Sequence, residues 1–107
     1  MTYEVAITDR AHAEFDGAYA WWAANRSPEQ AAKWYNGFSA AIRELARNPD
    51  RWPLAREKEQ FPFEIRELHY GLGGRPTHRA IFTIRPEMVL VLSIRHMAQA
   101  DLSPDNV

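Results

Sequence analysis

The stretch Thr77–Arg95, THRAIFTIRPEMVLVLSIR, decides the fold. It contains two β-prone runs, Thr77–Ile84 and Met88–Arg95, joined by the short turn Arg85-Pro86-Glu87. A turn this short makes consecutive strands antiparallel. The second run is apolar at both alternating sets of positions, the pattern of a strand buried on both faces. Just upstream, Glu64–Tyr70 (EIRELHY) is a third β-prone run, separated from Thr77 by Gly71-Leu72-Gly73-Gly74-Arg75-Pro76. The three runs predict an antiparallel meander. The glycines follow a strand but open no helix, so they read as hairpin turn material and not as a phosphate loop.

Two helices are predicted before the meander. Ser27-Pro28-Glu29-Gln30 supplies a capping hydroxyl, Pro at the first helical position and Gln30 to close a capping box. Ala31, Trp34, Tyr35, Phe38, Ala41, Ile42 and Leu45 then form one apolar stripe, ended by Asn48-Pro49. An earlier helix starts from a Thr8 cap with Asp9 in its first turn, carries Ala11, Phe15, Ala18, Tyr19 and Trp22, and runs to about Ala24. The break between them is two or three residues at Asn25-Arg26, so they form an antiparallel αα-hairpin. Tyr3–Ile7 alternates Tyr3, Val5 and Ile7 as a first strand. A loop rich in charge and Pro, Asp50–Pro62, joins the two halves. The order β-α-α-β-β-β predicts an α+β domain with the hairpin on one face of the sheet.

Composition sets the outer bounds. With 107 residues, 46% hydrophobic and 25% charged, the chain reads as one domain spanning 1–107. At this size folding buries roughly two-thirds of the surface, enough for one core. No cysteine excludes disulfides, thiolate zinc sites and a Cys nucleophile, and permits a reducing cytoplasm. No apolar run approaches the roughly 18–20 residues of a membrane span, and no secretory signal is visible at the amino terminus. The formal charge of -1 argues against a nonspecific grip on nucleic acid by the whole molecule. The charge is zoned, however. Residues 65–100 hold five Arg against Glu67 and Glu87, a sum of +3, with acidic balances on either side.

Arg66, Arg79 and Arg95 therefore stand out, one on each meander strand. By strict alternation Arg66 shares a face with Leu68 and Tyr70, Arg79 with Ile81 and Thr83, and Arg95 with Val91 and Ser93. Converging guanidinium forks would hold a phosphodiester and stabilise its transition state. The competing explanation is structural pairing with Glu64, Glu67 or Glu14. His96, following Arg95, is a candidate acid or base, against a hydrogen-bonded strand-end His. His69, His78 and His96 show no metal-ligand spacing, so no metal is expected. Among four Trp, Trp22 and Trp34 fit the helix stripes. Trp21 falls off the stripe and Trp52 sits in the loop, which makes both candidate partner contacts.

These residues together resemble the RelE/ParE superfamily of bacterial type II toxin-antitoxin toxins. The resemblance is carried by the opening strand with Ala11, by Ser27-Pro28-x-x-Ala31 and by Leu45-x-x-x-Pro49. Its most specific part is Glu64-Ile65-Arg66-Glu67-Leu68-x-Tyr70-Gly71, then His78-Arg79-Ala80-Ile81-Phe82-x-Ile84, then Val89-x-Val91-Leu92-x-Ile94-Arg95-His96. It implies a cytoplasmic toxin without cofactor, neutralised by a cognate antitoxin. RelE-like members cut mRNA on the ribosome with strand-borne Lys and Arg and a terminal His or Tyr; ParE-like members block DNA gyrase. Arg66 and Arg79 match the basic strand positions, and Arg95-His96 matches the ParE-like Arg-His step. No Lys follows Lys58 and no Tyr follows Tyr70, and the balance is slightly acidic. The resemblance therefore implies a ParE-like binder of a host target. The alternatives it leaves are a metal-free endoribonuclease using Arg66, Arg79, Arg95 and His96, and an inactive homologue that retains only antitoxin binding.

Overall fold

The computed structural model describes residues 2–107. Thr8 caps the first helix as expected: its hydroxyl accepts the Ala11 N–H at 3.1 Å, satisfying one of the otherwise orphaned first-turn donors. The chain runs β1 (Glu4–Ile7), α1 (Asp9–Asn25), α2 (Pro28–Arg43), β2 (Arg66–Tyr70), β3 (His78–Ile84) and β4 (Met88–His96). Ser27 caps α2 by accepting the Gln30 N–H at 3.1 Å, with Pro28 in the first turn. The helix is shorter than its stripe predicts. After Arg43 the backbone tightens into a 3₁₀ turn at Glu44–Ala46, which still buries Leu45. Asn48 then takes a left-handed conformation, φ 47°, which breaks the helix, and Pro49 opens a separate 3₁₀ turn, Pro49–Arg51.

The sheet order is β1-β4-β3-β2. β2, β3 and β4 form the predicted antiparallel meander. β1 lies parallel to β4 at the outer edge, because the αα-hairpin carries the chain across the sheet face before β2 begins. β1 ends opposite Val91, and α1 takes over the protection of the β4 edge. There the Glu14 carboxylate accepts from the Ile94 N–H at 3.1 Å and from the Ser93 hydroxyl at 2.8 Å.

The helix-covered face holds the main core. Ala31, Trp34, Phe38 and Ile42 recur every third or fourth residue of α2 and are all buried, against Phe15 of α1 and Leu68, Ala80, Phe82, Val89, Val91 and Ile94 of the sheet. Each such large apolar side chain contributes on the order of 1.5–3 kcal/mol on full burial. Tyr19, placed on the α1 stripe by spacing, is 38% exposed and meets Tyr35 edge-on. The opposite face is closed without a helix. Ala55 and Phe61 from the Asp50–Pro62 segment and Leu102 from the carboxyl terminus cover Ile65, Ile81 and Leu92.

One irregularity redirects side chains. Ile81 pairs with Ser93 but Phe82 pairs with Val91, so Leu92 is an extra residue in β4. A bulge shifts the alternation beyond it. Val91 therefore lies in the helix-side core, while Arg95 pairs with Arg79 on the opposite face. This corrects the expectation that Arg95 shares the face of Val91.

Candidate functional site

The three strand arginines do not converge on a common point. Arg66 lies at the periphery of the helix side. Its guanidinium donates to the carbonyls of Asp50 at 3.1 Å and Trp52 at 2.6 Å, and meets Glu64 at 3.2 Å. Arg79 is fully buried; it donates to Glu57 at 2.8 Å and to Glu67 at 3.1 Å. Arg95 is 7% exposed and donates to the Ala100 carbonyl at 3.1 and 2.6 Å, with Glu14 3.8 Å away. Each of the pairings with Glu64, Glu67 and Glu14 is thus formed. The expected phosphate clamp is not assembled, because carboxylates and carbonyls occupy the forks.

The partner that sequence reasoning missed is Glu57. It lies in the charged segment Arg56-Glu57-Lys58-Glu59, where no local pattern separates it from its exposed neighbours, yet it is fully buried. Besides Arg79 it accepts the Leu102 N–H at 2.7 Å, which pins the carboxyl-terminal segment to the sheet. Burial alone raises its pKa. The hydrogen bonds from Arg79 and Leu102, with the guanidinium charge, outweigh this and leave Glu57 below the ordinary carboxylate value. The only available signal was an excess of arginine on apolar strands with too few carboxylates beside them.

The open surface chemistry lies elsewhere, where the carboxyl end of α1 meets the His78–His96 end of the sheet. His78 and His96 are cross-strand partners whose rings meet edge-on at 5.2 Å. His78 is buried against Trp34, 5.0 Å between centroids, and its Nδ1 pairs with the Thr77 hydroxyl. Burial, then the neighbouring His96, pushes its pKa down to about 4, so it is neutral at pH 7. His96 is exposed, and its Nδ1 accepts the Ala98 N–H at 3.0 Å. His69 is not part of this group. It bonds Glu67 and stands beside Trp52.

These imidazoles border a cavity of about 370 Å³ whose other walls are Trp21, Trp22, Ala18, Arg26 and Thr77. Trp21 is 52% exposed, the largest exposed apolar side chain among the described residues, and meets Trp22 at a right angle. The Arg26 guanidinium lies 5.9 Å from the Trp21 ring centre. Trp52, the second expected contact residue, is half-buried on the rim of the main core, with Arg51 stacked at 5.2 Å. No helix among the described residues is long and apolar enough to cross a membrane.

Comparison with known proteins places this arrangement. A solved structure described as a chromosomal ParDE TA system from P. aeruginosa shares the fold, with a TM-score of 0.70. The likeness covers 89% of this chain and 96% of that one at 21% identity. No functionally curated relative matches the sequence. The family described as the ParE toxin of the type II toxin-antitoxin system parDE matches residues 5–101, a span that includes the helical hairpin, the whole meander and the Trp21–His96 cleft. The β-α-α-β-β-β order and this near-complete match agree: the chain belongs to the ParE toxin family of type II toxin-antitoxin systems.

Proposed function

We propose that this chain acts as a single-domain toxin in the cytoplasm, stopping growth by binding a host target, and that a cognate antitoxin holds it inactive. DNA gyrase is the target we favour. The observation that supports binding over cleavage is the commitment of Arg66, Arg79 and Arg95 to internal acceptors. A nuclease needs donors aimed where charge develops on the phosphorane, and donors already bonded to carboxylates and backbone carbonyls lack that aim. The P. aeruginosa likeness, described as a ParDE TA system, supports the antitoxin half of the reading. Trp21 is the contact residue we assign first, since exposed aromatics anchor interfaces; Trp52 follows, with its rim position.

Two assays on the purified chain test this reading. Gyrase supercoiling should be inhibited at stoichiometric protein, while mRNA on translating ribosomes stays intact. Cleaved mRNA that disappears with His96→Ala overturns the reading in favour of the endoribonuclease, with His96 as acid or base. Neither inhibition nor cleavage overturns the host-target half and leaves a chain that only binds an antitoxin.

A further inference from the structure

The cleft behind Trp21 has a chemistry that a flat protein contact does not require. Its volume of about 370 Å³ falls within the roughly 300–1000 Å³ of small-molecule sites. Two indole rings, 6.0 Å apart at 90°, offer one face for stacking and a second wall against the edge of a ring so stacked. Of the polar groups at the border, the Thr77 hydroxyl and His78 Nδ1 pair with each other, which leaves Arg26 and His96. Arg26 forms no ion pair among the described residues, and no carboxylate lines this cavity. Glu14 lines the adjoining cavity that shares Ala18, His78 and His96, and it is held there by Ser93, the Ile94 N–H, Arg10 and Arg95. Because Ala98 N–H occupies His96 Nδ1, the neutral imidazole carries its proton on Nε2 and can donate there. A guanidinium without an acidic partner beside an imidazole donor selects for an anion.

We propose that this cleft binds a small planar aromatic ring bearing one anionic group, the ring against Trp21 and Trp22 and the anion at Arg26 and His96. The site shares Trp21 with the contact surface assigned above but does not require the toxin reading. It rests on the cleft's own lining, and it holds whether the host target is gyrase, the ribosome or neither. The anion is a phosphate ester or a carboxylate. Both offer an aromatic face to the indoles and anionic oxygens to the guanidinium.

Titration of the isotope-labelled full chain, followed by the indole N–H resonances, tests the proposal. The probes are adenosine 5′-monophosphate and indole-3-acetate, with adenosine and inorganic phosphate as the separated halves. The expected result is a saturable shift of the Trp21 and Trp22 resonances by at least one intact probe, with Trp52 unmoved. A response to the nucleotide alone identifies the phosphate class, and to the indole acid alone the carboxylate class. Each half should bind about tenfold or more weakly, since a charged hydrogen bond or a stacked ring is worth that much. Arg26→Gln should weaken the intact probe about tenfold and leave adenosine unchanged, with the unfolding midpoint unaltered. The proposal is overturned if neither probe shifts Trp21 and Trp22. It is also overturned if phosphate alone binds as well as the intact probes, or if Arg26→Gln changes nothing.

Discussion

The two faces of the sheet are closed by different physics. On one, the αα-hairpin presses Phe15, Trp34 and Phe38 onto Leu68, Phe82 and Val91, an apolar contact with stacked and edge-on rings. On the other, a smaller apolar cluster shares the surface with a buried charge group, Arg79 between Glu57 and Glu67. Apolar closure is tolerant of detail, because dispersion and water release depend on area and fit. Ionic closure is not. Every member must be present, since removing one leaves another charged and buried. The helix face can therefore drift in composition, while the opposite face holds its charged members as a unit.

The largest tests set one face against the other. Arg79→Ala should cost about 3–5 kcal/mol in denaturant unfolding, as a broken buried pair does. Trp34→Ala should cost a similar ~3–5 kcal/mol by emptying the helix-side core. The faces separate on rescue. Arg79→Met combined with Glu57→Gln and Glu67→Gln, which removes the charges but keeps carbonyl acceptors for the Leu102 and Arg56 N–H groups, should recover part of the loss, whereas no second substitution beside Trp34 refills a cavity of that size. If the triple variant is no more stable than Arg79→Ala alone, the contrast between ionic and apolar closure fails.

Acid distinguishes the faces next. His78, on the helix side, has a pKa near 4 against an ordinary 6.5. The unfolded chain therefore binds its proton first, and stability is lost as pH falls from about 6.5 toward 4. The full loss is on the order of 3 kcal/mol. Glu57 acts in a lower window. Its folded pKa lies below the ordinary 4.5, so its contribution is complete above that value and fades only as pH falls beneath it. Unfolding midpoints of His78→Gln across about pH 2–7 should lose the slope between about 6.5 and 4 and keep the one below 4.5.

Smaller effects probe how tightly each layer fits. A Cβ at Gly37 would collide with the Tyr70 hydroxyl, where Tyr70 stacks on Phe38, so Gly37→Ala should cost about 1–3 kcal/mol by overpacking. Gly17, on the exposed side of α1 with nothing near it, should gain roughly 0.5–1 kcal/mol as Ala. Removing the α2 cap with Ser27→Ala should cost about 1 kcal/mol, measured by thermal unfolding.

Much of the helix face was legible in the sequence. The caps at Thr8 and Ser27, the Ala31–Leu45 stripe and the three β-prone runs are local signals with fixed periods, and the elements follow them. The site residues were less so. Each arginine was visible, but its partner was not a matter of periodicity. Arg66 and Glu64 are two residues apart, whereas Arg79 and Glu57 are separated by 22 and Arg95 and Glu14 by 81.

The sequence by itself determined the order β-α-α-β-β-β, the antiparallel meander and the hairpin, because caps, turns and apolar spacing act over a few residues. Tertiary structure alone decided the parallel pairing of β1 with β4, the bulge at Leu92 that turns Arg95 to the face of Arg79, and the burial of Glu57. It also brought Trp21 and Arg26 beside His96 to form the cleft. Those outcomes depend on which distant segments meet. No local propensity encodes whether a charge in a loop will find a counter-charge across the sheet or remain in water.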